Sequence, residues 1–110
     1  MAPSTTTIES AAGIATLINV FTVAPENQQR LVELLVEATE KVIRHRPGFI
    51  SANIHASLDG TRVVNYAQWR SADDFTAMLG DPAAAPHLQA AEALATYDPH
   101  LYDVVSVHHA

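Results

Sequence analysis

The segment Val63–Trp69, Val-Val-Asn-Tyr-Ala-Gln-Trp, holds the two side chains best suited to chemistry on an aromatic ring. Apolar and polar residues alternate along it, with the period of a half-buried strand. Asn65 and Trp69 are an even number of positions apart and so share a strand face. An asparagine amide offers both a donor and an acceptor. An indole offers a flat π surface and one N–H. A side-chain amide buried without partners costs about 2–7 kcal/mol. Asn65 therefore requires a backbone group, a buried water or a ligand. Asn19 poses the same choice inside the apolar run Ala15–Val23. His87, in Pro86-His87-Leu88-Gln89, is either a base that titrates near neutral pH or a solvated helix residue.

The elements that must position these groups follow from local patterns. Asp59-Gly60 is a two-residue turn signal, because a type I′ turn needs positive φ at both central positions. With Leu58 opposite Thr61, Ala56 faces Val63, Ile54 faces Asn65, Ala52 faces Ala67 and Ile50 faces Trp69. That hairpin face is apolar except for Asn65. The other face carries Asn53, His55, Val64, Tyr66 and Gln68. Residues 1–14 are small, polar and Thr/Ser-rich, and are expected to form a disordered N-terminal tail. Residues 15–110 are expected to form a single domain. Its first strand, 15–23, is apolar on both faces, as a central strand is.

Pro25 opens a helix whose buried stripe is Leu31, Leu34, Leu35, Ala38 and Val42. Pro47-Gly48 ends it. Ser71 caps a second helix, with Asp73 and Asp74 in its first turn and Phe75, Met78 and Leu79 on its buried side. Gly80-Asp81-Pro82 breaks that helix. A third helix is predicted over 83–96, with Pro86 in its first turn, and a last strand over 100–108. Strand, helix, strand, strand, helix in two pieces, strand is the ferredoxin-like split βαβ order of the α+β class. Its antiparallel sheet carries helices on one face. The opposite face is too bulky to be left bare. The simplest cover is a second copy of the chain, giving a homodimer.

Composition narrows the function classes. The chain has 110 residues, the size of one domain, and 48% are hydrophobic, enough for a core. The net charge is −6 and no basic patch is present, which makes nucleic acid and anionic membranes poor partners. Cysteine is absent, which excludes disulfides, thiolate metal sites and a cysteine nucleophile. The six histidines are scattered without ligand spacing, so no metal site is expected. No apolar run approaches a membrane span, and the N-terminus has no export pattern; a cytoplasmic protein is expected.

Asn65-Tyr66-Ala67-Gln68-Trp69, preceded by His55-Ala56-Ser57-Leu58-Asp59-Gly60-Thr61 and Pro47-Gly48-Phe49, resembles the antibiotic biosynthesis monooxygenase family. The likeness is greatest to the cofactor-independent anthrone and quinol monooxygenases of polyketide pathways, of the actinorhodin type. It runs from about residue 18 to the end. The resemblance implies a dimeric α+β barrel that oxidises an electron-rich phenolic ring to a quinone. O₂ is the co-substrate, with no flavin, haem or metal. It implies that the strand asparagine and tryptophan, here Asn65 and Trp69, are catalytic. Asn65 would bond a substrate oxygen and Trp69 would stack on the ring.

Asn19, Phe75, Met78 and His87 are expected to complete the wall around a small aromatic substrate. The actinorhodin-type enzyme has a tyrosine where Phe75 stands, and its third-helix arginine has no counterpart here. Haem-degrading monooxygenases of the same fold offer a second function. They use a first-strand asparagine and a helical histidine, matched by Asn19 and His87. Their helical tryptophan position holds Met78 here. A non-catalytic dimer that binds a small aromatic ligand is the third.

Overall fold

A strand apolar on both sides belongs in the middle of a sheet, and the first strand lies there. The structure, a computed structural model, describes residues 4–110. Its elements are β1 (Ala15–Val23), α1 (Gln28–Lys41), β2 (Phe49–Ala56), β3 (Arg62–Trp69), α2 (Ala72–Leu79), α3 (Ala85–Glu92) and β4 (Ala95–Tyr102). The four strands form one sheet in the order β2-β3-β1-β4, and every neighbouring pair is antiparallel. This is the ferredoxin-like α+β arrangement, with the helices packed on one face. Among the described residues no helix is long and apolar enough to cross a membrane.

Two apolar clusters sit between sheet and helices. One joins Phe21, Val23, Leu31, Leu35, Val63 and Ala91. The other joins Leu17, Ala67, Trp69, Met78 and Ala84. Fully burying a leucine, valine or phenylalanine contributes about 1.5–3 kcal/mol, so these contacts hold the helices down. Pro25 starts a single 3₁₀ turn, Pro25–Asn27, and α1 follows with Leu31, Leu34, Leu35 and Ala38 buried. Val42 lies just past its end, half-buried. The Ser71 hydroxyl accepts the Asp74 N–H at 3.1 Å and caps α2. Gly48 has φ +84°, and a Cβ there would run into the Asp74 carboxylate. The start of the hairpin is thereby fixed against the start of α2.

Three expectations need correction. The hairpin register holds from Ala52 to Ala56, but a β-bulge between Phe49 and Ser51 puts Phe49, not Ile50, opposite Trp69. Phe49 meets the indole edge-on at 5.5 Å, while Ile50 is 44% exposed. The larger ring fills the core position, and the bulge turns Ile50 out. Leu79 is 49% exposed and not on a buried side.

The third correction concerns the last strand, which occupies Ala95–Tyr102 and not residues 100–108. Its place is dictated by β1, which pairs with it from Thr16–Tyr102 to Val23–Ala95. Pro99 is tolerated because β4 is an edge strand. The third helix is correspondingly confined to Ala85–Glu92, and Val104, Val105 and Val107 lie outside the sheet.

Of the segment expected to be a disordered tail, residues 1–3 lie outside the described residues. Residues 4–14 form no helix or strand. Two of them reach the outer sheet face. The Thr6 hydroxyl donates to Asn53 Oδ1 at 2.6 Å, and the Gln68 amide donates to the Thr7 carbonyl at 2.8 Å.

Candidate active site

The two asparagines that stood out in apolar strands come together. Asn19 and Asn65 are direct partners in the β1–β3 ladder. Directly opposed residues share a face, and their flanking residues on that face, Leu17, Phe21, Val63 and Ala67, are all buried under the helices. Both Oδ1 atoms are buried, and neither has a hydrogen-bond partner among the described residues. Native structures leave few such atoms unpaired. Two side by side on one ladder rung mark a place where something else supplies the bonds.

Both amides line a cavity of about 260 Å³. Ligand pockets run from roughly 300 to 1,000 Å³, so this is a small one. Its floor is β1, β3 and β4, with Leu17, Phe21, Pro99 and Leu101 around the amides. Its roof combines Leu35 and Ala38 of α1, Phe75 and Met78 of α2, and His87 and Leu88 of α3. Polar groups are few. The Thr39 hydroxyl donates to the Leu35 carbonyl at 2.8 Å, within its own helix, and so has only an acceptor left for the cavity.

Of the predicted site residues, Asn19, Asn65, Phe75, Met78 and His87 line one cavity. Trp69 does not. It is 1% exposed and lies against Phe49 and Phe75, ring centroids 5.5 and 6.1 Å away, both edge-on. The indole packs behind the cavity wall, against Phe75 and in one cluster with Leu17 and Met78, which all line it. The bulge explains this, because it brings Phe49 against one side of the indole.

Glu92 and Tyr97 are also in the cavity wall, at the end marked by Phe21, and were not anticipated. The Tyr97 hydroxyl donates to Glu92 Oε1 at 3.1 Å, tying β4 to the end of α3. That bond, together with the carboxylate's charge, raises the Tyr97 pKa above the usual tyrosine value. The signal was available in the alternation Ala95, Tyr97, Pro99, Leu101, which runs through the proline. His55 lies on the outer face, where its ring meets the Asn53 carbonyl at 3.1 Å.

The cavity has room for a small, largely apolar molecule, with two amides at one ladder rung to orient its polar groups. The two unpaired atoms are carbonyl oxygens, which accept hydrogen bonds from donors such as hydroxyl groups.

Comparison with known proteins agrees with this chemistry. Residues 14–94 match the family model described as antibiotic biosynthesis monooxygenase. The tetracenomycin-F1 monooxygenase of Streptomyces glaucescens is 57% identical over 81 residues, 74% of this chain and 72% of that protein. The monooxygenase from the gene ActVA-Orf6 of Streptomyces coelicolor, solved in complex with nanaomycin D, superposes with a TM-score of 0.76 at 35% identity. That match covers 89% of this chain and 92% of the other. SnoaB of Streptomyces nogalater, a cofactor-independent oxygenase, gives a TM-score of 0.75 at 28% identity over 87% of this chain and 97% of its own.

Proposed function

The chain belongs to the antibiotic biosynthesis monooxygenase family, and from that membership we propose that it oxidises an electron-rich polycyclic phenol. The substrate is an anthrone- or hydroquinone-type polyketide intermediate, the oxidant is O₂, the product is a quinone, and no cofactor takes part. The observation that carries this is the opposed pair Asn19 and Asn65, each with an unpaired buried oxygen, in an apolar cavity. SnoaB's description as a cofactor-independent oxygenase supports the absence of a cofactor.

The chemistry balances without one. An anthrone methylene loses a proton and leaves a carbanion conjugated with the ring oxygens. The carbanion passes one electron to O₂. The resulting radical and superoxide combine to a peroxide, which loses water. Overall the ring carbon exchanges two hydrogens for one oxygen atom, and the second oxygen leaves as water with those hydrogens. The protein's tasks are to bind the ring, take the first proton and hold the anion. The unpaired Asn19 and Asn65 Oδ1 atoms accept hydrogen bonds from the substrate's phenolic hydroxyls and fix the ring, and each amide's N–H group is the donor that meets charge developing on a ring oxygen. Removing one such donor typically costs about a hundredfold or more in rate. His87 lines the α3 side of the roof and is the proton acceptor in this reading. Phe75, Met78 and Leu88 hold the ring and keep water away.

A second copy of the chain covers the outer sheet face, where Ile18, Val20 and Val64 remain half-buried. Gel filtration that gives a monomer would remove that part.

Oxygen consumption with dithranol, in metal-free buffer and with no cofactor added, is the test. Uptake of one O₂ per quinone formed is expected, and no uptake would end the oxygenase assignment. A Soret shift on adding haem would favour haem degradation instead. Quenching of Trp69, the only tryptophan, without turnover would favour a binding protein.

A further inference from the structure

Resting on the oxygenase assignment, we infer that Glu92 and Tyr97 form a second polar subsite, which selects substrates with a phenolic hydroxyl on the terminal ring and sets which end enters first. Polar groups in the cavity wall are scarce. The two amides sit at its middle, between Leu17 and Phe21 on β1. Tyr97 pairs with Phe21 across the β1–β4 ladder, two strand positions from Asn19. Two positions along a strand span about 6.8 Å, so the pair stands one ring system's reach from the amides and not beside them.

The pair is also built to stay put. The Tyr97 ring packs on Phe21 with centroids 6.2 Å apart. Its hydroxyl donates to Glu92 Oε1, which leaves Oε2 and a hydroxyl lone pair to accept from a ligand. Both free positions are acceptors. They therefore favour a donor on the substrate, a neutral phenol, and disfavour a carboxylate or a phenolate at that end. A hydroxyl on the terminal ring that donates to this pair fixes which end of the molecule lies at the mouth. That orientation decides which ring carbon lies at the amides.

Emodin and chrysophanol test this, because they are anthraquinones that differ by one hydroxyl on a terminal ring. Their affinities are measured by calorimetry at pH 6, where that phenol keeps its proton. The wild-type protein is expected to prefer emodin by about threefold to tenfold, the value of one hydrogen bond at a partly solvated mouth. Glu92→Gln and Tyr97→Phe should each bring the two affinities together. No preference in the wild-type protein, or a preference that survives in both variants, would overturn the subsite. The measurement requires binding and no turnover. If emodin is preferred but dithranol is not oxidised, the subsite stands and the oxygenase assignment falls. If dithranol is oxidised without an emodin preference, the reverse holds.

Discussion

Asn53 and Asn65 lie on neighbouring strands of one hairpin, on opposite faces of the sheet, and they are held in opposite ways. Asn53 donates to the Tyr66 carbonyl at 3.0 Å and accepts from the Thr6 hydroxyl at 2.6 Å. Asn65 has a buried oxygen with no partner among the described residues. The same amide is mortar on one face and an open valence on the other. An asparagine whose bonds are made stabilises the fold. One whose oxygen is unpaired beside a cavity costs the fold and is open to a ligand.

Mutations can break that contrast. Asn65→Ala is expected to lower the turnover number for anthrone oxidation by about a hundredfold. Because the Asn65 oxygen makes no hydrogen bond among the described residues, the variant's Tm should hold or rise. A fall of more than about 4 °C, roughly 1 kcal/mol in a domain of this size, would show that Asn65 is structural after all. Trp69→Phe should do the reverse. Losing the indole between Phe49 and Phe75 should cost about 2 kcal/mol in urea unfolding. Turnover should fall by less than in Asn65→Ala, since Trp69 is not in the cavity wall and supports it through neighbours such as Phe75.

Asn53→Ala is expected to cost about 1 kcal/mol and leave turnover intact. A rate loss in that variant would erase the distinction between the two faces. The smallest effect belongs to Asp59 in the hairpin turn. Hydrogen bonds from Thr61 and Ser57 lower its pKa from 3.8 to about 2. The folded state favours the ionised form, so its contribution is present above pH 4 and lost as pH falls toward 2. Asp59→Asn should flatten the acid limb of the stability curve over that window, as followed by circular dichroism.

Alternation and the Asp59-Gly60 turn were enough to pair most of β2 with β3, because a one-residue slip would turn every apolar group outward. They also exposed Asn19 and Asn65, since polar groups in apolar runs violate the local rule. Other features had no local signature. Phe49 and Ile50 are both apolar and β-prone, and only the fit against Trp69 decides which faces in. Residues 100–108 look more strand-like than residues 95–102, which contain Pro99. The pairing with β1 nonetheless runs through the latter, from Thr16–Tyr102 to Val23–Ala95. With β4 misplaced, Tyr97 lost its face and the Glu92 contact could not be foreseen. Trp69 was placed on the correct side, but the bulge decides whether that side is wall or backing.

Because Asn19 and Asn65 ride on adjacent strands of the same ladder, the gap between them is a property of the polypeptide backbone. It is the interstrand repeat, about 4.5–5.5 Å between opposed Cα atoms, and no roof residue can alter it. The helices are the adjustable part. Substitutions confined to α2 and α3 can reshape the chamber for a wider or narrower guest while its central gauge stays fixed. That makes the roof, and not the floor, the place to redesign what this protein accepts.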